Sequence, residues 1–446
     1  QEGMVFHSEF GEKSEAYFTQ FAGDLLGDVD AQCLRRSWQQ VIDRHDVLRS
    51  SLHWQGLDHA VQIVHRNVEF TLTEDNWSHI SDSEIDQHFT QLMRLERDKG
   101  FELDQPKLNR VHLIKTGPER FRLLWSFHHA LLDGWSIPLV LNELLAVYHN
   151  LSENRAFTEQ PANAFKEYIE WLSVQDPLEA ERFWRDSLGG FSEPTPLPGV
   201  DRAMSLDPDS AEYAEQYQTL PEDLANLVQS VAQSERLTAN TLVQAAWALV
   251  LARYTRSDDI VYGATTSGRP ATLAGVETMV GQFLNTLPVR VQLDPDMQVI
   301  DWLKEFQEQQ LSMRSYEYAA LIDIQSWSDV PRGQQMFESL LAYENYPQMQ
   351  TVDEPDGADS VHLQADSIAV VERTNYPLTF TAIVRDIRDR MHLERQVLLA
   401  TLKEQERIAK ELHDGHGSTL AGLEMQLSAL RHDLEASQFK EQAREA

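Results

Sequence analysis

The sequence predicts an α/β protein of two lobes followed by a helical tail. Three observations carry that expectation. Strand-like alternation is interleaved with helical periodicity from residue 31 to residue 384. A Gly- and Pro-rich break falls between Asp176 and Val200, and beyond residue 393 there is no proline while the leucines step by three and four. A length of 446 residues suits two to four lobes at roughly 100–200 residues each.

The first helix is read from Cys33, Leu34, Trp38, Val41 and Ile42, which recur at helical spacing within 31–52, with Asp28 and Asp30 before them as caps. It runs into a strand over 47–54, and a further strand falls at 61–64. Residues 110–114 and 121–127 alternate apolar and polar as half-buried strands do, and a helix follows over 137–150. Gly189-Gly190 and the spacing of Pro194, Pro196 and Pro198 mark an extended connection and a lobe boundary. The second lobe begins near Ala211, with helices at 222–235 and 239–254 and strands at 260–262, 287–291, 337–343 and 378–384. Leu420, Leu423, Leu427, Leu430 and Leu434 then form the apolar seam of a helical hairpin, bundle or coiled coil.

Composition narrows the partners. With 71 acidic and 38 basic residues the net charge is −33, which repels nucleic acid and anionic membranes over a Debye length. Small molecules and proteins are the expected partners. A single cysteine, Cys33, allows no intrachain disulfide and no thiolate metal cage, which fits a reducing cytoplasm. The longest apolar run, near residues 242–251, is too short for a membrane span. The chain begins at Gln1, which reads as a fragment of something larger.

The most informative stretch runs from Ser126 to Ser136 between a strand and a helix, and contains His128, His129, Asp133, Gly134 and Trp135. Consecutive histidines on extended backbone face opposite sides, so one can enter a cavity while the other packs, and the pair is ill suited to one metal. Asp133 is placed to orient an imidazole or pair with an arginine, and Gly134 permits a tight turn. On spacing alone, satisfied core histidines beside a turn are a better account than catalysis.

His128-His129-x-x-x-Asp133-Gly134-Trp135-Ser136 resembles the signature of nonribosomal peptide synthetase condensation domains, in the acyltransferase superfamily that includes chloramphenicol acetyltransferase. Other family motifs appear in order around it. Residues 1–7 are similar to the opening motif, and Arg44-His45-Asp46-Val47-Leu48-Arg49 to the second. Phe165 to Trp171 follows, then Ser267-Gly268-Arg269-Pro270 leading into 280–290, then Tyr316-Glu317-Tyr318 and 373–378.

The resemblance implies two chloramphenicol-acetyltransferase-like lobes in a V with a central tunnel. Donor and acceptor peptidyl carrier proteins dock at its mouths, and a neighbouring adenylation domain belongs to the same synthetase. No cofactor or metal is bound by the domain itself; phosphopantetheine arrives covalently on the carriers. An amide then forms between an acyl or peptidyl thioester and the amine of an aminoacyl thioester. Carried over by residue, His129 is the general base or the group that positions the amine, and His128 is an orienting neighbour. Asp133 is a structural partner of an arginine such as Arg44, with Arg49 and Arg269 as other candidates. Gly134 either presents its N–H to the oxyanion or, more plainly, makes the turn. Trp135, Ser136, Asn285 and Thr286 are tunnel candidates, although strand-end hydrogen bonding accounts for the last two at least as well. The opening motif, the form of the central one and residues 171–176 look like the subtype that accepts L-configured donors.

The family normally continues past residue 384 with a further strand and helix. Here residues 404–420 instead resemble the phosphoacceptor box of sensor histidine kinases, in their dimerisation helices. By that resemblance His413 is the phosphoacceptor and Asp414 its base or orienting partner, while His416 stands where an apolar residue is usual. A solvated hairpin that only dimerises, giving a homodimer through the tail, is the plainer account. The expected division is an N-terminal lobe 1–176, a linker 177–200, a truncated C-terminal lobe 201–384 with activity impaired by the missing end, and a tail 385–446.

Overall fold

The computed structural model describes residue 4 and residues 17–383, apart from 58–59, 156–162, 198–213, 332–333, 348, 350, 353–360, 365–366, 372–373 and 375. The expected tail hairpin, with His413 and Asp414, lies outside the described residues. Gln1–Gln229 and Ala239–Ile383 form one compact unit, and Ser230–Thr238 with Val384–Ala446 a second. All three β-sheets of the described residues and the histidine motif belong to the first unit.

Strand β1 (Phe18–Leu26) leads to α1 (Ala31–Arg44). Asp30 caps the helix by accepting the N–H groups of Gln32 (2.8 Å) and Cys33 (3.1 Å), and the apolar face read from the sequence is the buried one. The helix is shorter than its periodicity suggested. His45 turns to extended backbone, a single 3-10 turn covers Asp46–Arg49, and only then does β2 (Ser50–His53) begin, paired with β3 (Val61–Val64). β4 (Leu72–Asn76), α2 (Asp82–Lys99), β5 (Asn109–Gly117) and β6 (Arg120–His128) follow, then α3 (Ser136–Ser152), α4 (Phe165–Ser173) and α5 (Pro177–Leu188). Helix α5 occupies the first part of the segment expected to be an extended linker. Asp176 caps it by accepting the Leu178 N–H at 2.8 Å, Pro177 sits where the missing N–H is harmless, and Ala180, Trp184 and Leu188 are buried.

The second half contains α6 (Glu222–Glu235), α7 (Ala239–Thr255), β7 (Asp259–Thr266), β8 (Asn285–Gln292), α8 (Val299–Arg314), α9 (Leu321–Trp327) and β9 (Ser339–Glu344). The short strands β10 (Thr351–Val352), β11 (His362–Gln364) and β12 (Ala369–Val371) precede β13 (Leu378–Ile383). Among the described residues β13, β9, β7 and β8 make one sheet in that order. A larger one is seven-stranded, ordered β10-β11-β1-β6-β5-β4 with β12 also on β1, and β2 with β3 makes a third. The sheet of the first lobe is therefore completed by strands from late in the chain: Leu25 stands opposite Leu363 and Phe21 opposite Val370. Phe21, Trp38, Trp125 and Phe127 fill the core beneath β1 and β6, with the Trp38 and Trp125 rings 5.1 Å apart.

Candidate active site

β1 and β6 fix the start of the histidine motif, because their antiparallel register pairs Phe18 with His128 at the strand end. The next residue leaves the sheet, and the His129 N–H donates to the Tyr17 carbonyl at 2.7 Å. The two histidines are treated differently. His128 is buried, its Nδ1 accepts the Ala130 N–H at 3.1 Å, and burial together with the neighbouring His129 pushes its pKa down to about 3. It is a neutral packing group. His129 is half-buried in the turn that comes next. Tyr17 has a positive φ of 71° and a hydroxyl that burial raises to about 12.

Asp133 holds the turn to the second lobe. One oxygen accepts from the Ser136 N–H (2.9 Å), the Ser136 hydroxyl (2.7 Å) and Arg269 Nη2 (3.1 Å); the other accepts from Arg269 (3.2 Å) and the Phe283 N–H (3.2 Å). The Asp133 N–H in turn donates to the Gly281 carbonyl at 3.1 Å. Arg269 is itself anchored, donating to the carbonyls of Val276 (2.5 Å) and Met279 (2.8 Å) with its guanidinium 4.0 Å from the Phe283 ring centre. Burial lowers its pKa, and the Asp133 charge opposes that shift. Both side chains are 3% exposed, so this is a desolvated, hydrogen-bonded pair of the kind that cannot lose one member cheaply.

That geometry corrects the preferred arginine. Arg44, at the end of α1, faces Glu143 of α3 (3.5 Å), which also meets His45 Nε2 (3.0 Å). Arg49 pairs with Asp46 and donates to the His65 carbonyl at 2.6 Å. Both brace the first lobe internally, where each faces a carboxylate close by.

Gly134 is corrected too. It is absent from the positive-φ glycines, so the turn does not demand it. A Cβ there would lie 2.3 Å from Cζ and 2.4 Å from the hydroxyl of Tyr346. Glycine here allows the close approach of that phenol. Trp135 donates its indole N–H to the Glu277 carbonyl at 2.9 Å, and the Ser136 hydroxyl accepts the Gly281 N–H at 3.1 Å. Asn285 is committed to structure: its amide donates to the Glu317 and Ala319 carbonyls, each at 2.8 Å, and its oxygen accepts the Thr286 N–H at 2.9 Å. Thr286 is half-buried and pairs with Thr265 across the β7–β8 ladder.

Several residues at the site carried no individual signal in the sequence. Tyr168, against Phe283 with ring centres 4.6 Å apart, has its hydroxyl pKa raised by burial and by the Glu317 and Asp133 carboxylates. Glu317 is pushed up by burial against the opposing pull of Arg314 and Thr266. Gly281 needs its missing side chain because a Cβ would meet Phe165 at 2.2 Å. Tyr17 and Tyr346 lie outside any quoted motif. Among the described residues, no group of three or more His, Cys, Asp or Glu is placed to hold a metal ion, and no helix is long and apolar enough to cross a membrane.

The sequence matches the Condensation domain family over residues 1–412 and the Histidine kinase family over 404–446. It is 44% identical over 387 residues to a linear gramicidin synthase polypeptide of Brevibacillus parabrevis, covering 86% of this chain and 8% of that protein. To a chondramide synthase of Chondromyces crocatus it is 37% identical over 374 residues, covering 82% and 9%. The chain thus spans under a tenth of these relatives. A structure of the starter condensation domain of rhizomide synthetase, in complex with C8-CoA and Leu-SNAC, has the same fold: the TM-score is 0.68 at 18% identity, covering 85% of this chain and 83% of that one.

Proposed function

Because the chain belongs to the condensation-domain family of nonribosomal peptide synthetases, we propose that it joins two carrier-bound substrates through an amide bond. The donor is an acyl or peptidyl thioester on one phosphopantetheine arm, L-configured at its reacting residue. The acceptor is an aminoacyl thioester on another, and the neighbour supplying it is an adenylation domain of the same cytoplasmic synthetase. The observation that carries this reading is the buried Asp133–Arg269 pair, which fixes the turn beginning at His129 against the second lobe.

The amine nitrogen attacks the thioester carbonyl carbon, the C–N bond forms, and the C–S bond breaks. The proton lost by nitrogen ends on the departing sulfur. A thioester is already activated, so alignment of the two tethered reactants supplies much of the acceleration. His129 is the group that accepts and relays that proton or holds the amine toward the carbonyl. His128, neutral and buried, orients the backbone beside it. Support for thioester substrates comes from the structural relative in complex with C8-CoA and Leu-SNAC.

Single-turnover reaction of the full chain with loaded donor and acceptor carriers tests the reading. Amide product that drops at least about 100-fold in His129→Ala is the expected result for loss of a proton-transfer group; no product from folded wild type overturns it.

A second reading rests on the match of residues 404–446 to the histidine kinase family. In it the chain is a carrier-binding scaffold or signalling fusion that pairs through its tail, with His413 taking a phosphoryl group and Asp414 beside it. Label from ATP appearing at His413 when a kinase ATP-binding domain is added in trans, and absent from His413→Ala, is the outcome it requires.

A further inference from the structure

The turn at Asp133 and Gly134 receives three approaches from the second sheet. β7 runs parallel to β9 and antiparallel to β8, so the chain leaves β7, enters β8 and leaves β9 at one end of that sheet. Arg269 comes from the first of these, Gly281 and Phe283 from the second, and Tyr346 from the third. The first two grip Asp133 and Ser136. The third does something else: its phenol rests on Gly134, with the hydroxyl at the point of contact.

We propose that the Tyr346 hydroxyl donates a hydrogen bond to the oxygen of the reacting thioester carbonyl, and that Gly134 is glycine so that the phenol can reach it. The inference rests on the condensation reading above. When the amine adds, the carbonyl π pair moves to oxygen and returns as the C–S bond breaks, so a donor is needed where that charge develops. A phenol supplies one without taking part in the proton transfer assigned to His129. Tyr346 is half-buried and lies just past the end of β9, so a strand that pairs with both β7 and β13 fixes its position. With an alanine at 134 the phenol would have to move away, because the Cβ would lie 2.3–2.6 Å from three atoms at its tip.

The test compares wild type, Tyr346→Phe, Gly134→Ala and the double variant in single-turnover and steady-state condensation with loaded carriers, alongside thermal melting. Tyr346→Phe keeps the ring on Gly134 and removes only the hydroxyl. It is expected to lower kcat by about 100-fold, the scale for one oxyanion donor, with Tm and carrier KM unchanged. Gly134→Ala should lower kcat comparably, and the double variant little further, because both act on one group. A merely structural tyrosine would move Tm and leave kcat of the phenylalanine variant within about 3-fold of wild type; that result overturns the inference and leaves the condensation reading standing. Absence of product from wild type removes the condensation reading itself, and the inference with it.

Discussion

Asp133 and Arg269 meet although they stand 136 positions apart in sequence. The acid was legible, since it lies in a short motif beside two histidines, but its partner was not. Charge alone offered three arginines, and the choice among them is made by which strand end arrives at the turn. Arg44 and Arg49 have local partners within the first lobe. Removing either member of the buried pair leaves an unpaired charge, for which about 3–5 kcal/mol is the typical cost. Arg269→Ala is therefore expected to lower the urea midpoint strongly, whereas Arg44→Ala, whose ion pair is 3.5 Å long and partly exposed, should cost about 1 kcal/mol or less. Equal losses in the two variants would contradict the assignment. Gly134 shows the same limit on reading. Its residue type is evident, but its reason lies in a tyrosine from the other lobe.

At the level of elements, strands rich in apolar residues were readable and one with several buried polar residues was not. β6 is legible because Phe121, Leu123 and Trp125 recur at every second position from its start, with Arg122 between the first two. β1 escaped because Thr19, Gln20 and Asp24 are buried within it and break the pattern. Their partners come from elsewhere: Gln20 donates to the Met93 carbonyl (3.0 Å), and Arg122 donates to Asp24 (2.9 Å). Helix α2 is tied to β5 in a similar way. Burial would raise the Glu96 pKa, but hydrogen bonds from His112 and Arg110 hold it at about 2. A carboxylate depressed in the folded state stabilises above its unfolded pKa, about 4.3, and that contribution disappears as pH falls from there toward 2. Acid titration of unfolding should therefore show a loss over this window that is flattened in Glu96→Gln; identical profiles would remove Glu96 as its source.

The whole molecule carries a charge of −33. That charge repels any acidic partner at long range, so under the proposed condensation function docking rests on local apolar contact and a few placed cations. The two-lobed α/β architecture was legible because helix and strand patterns alternate along both halves. What the linear reading missed is that the lobes are not consecutive in sequence at the level of their sheets. β11 and β12 return to β1, and the Asp24 N–H donates to the Ser367 hydroxyl, 343 residues on, at 2.6 Å.

That return sets a timetable for biosynthesis. At about 5–20 residues per second, roughly 20–70 seconds separate emergence of β1 from arrival of the strands that cover its free edge. Throughout that interval the nascent first lobe presents a row of unpaired backbone groups able to template pairing with another chain. A sheet that is secure in the finished protein is, during translation, the segment most in need of protection.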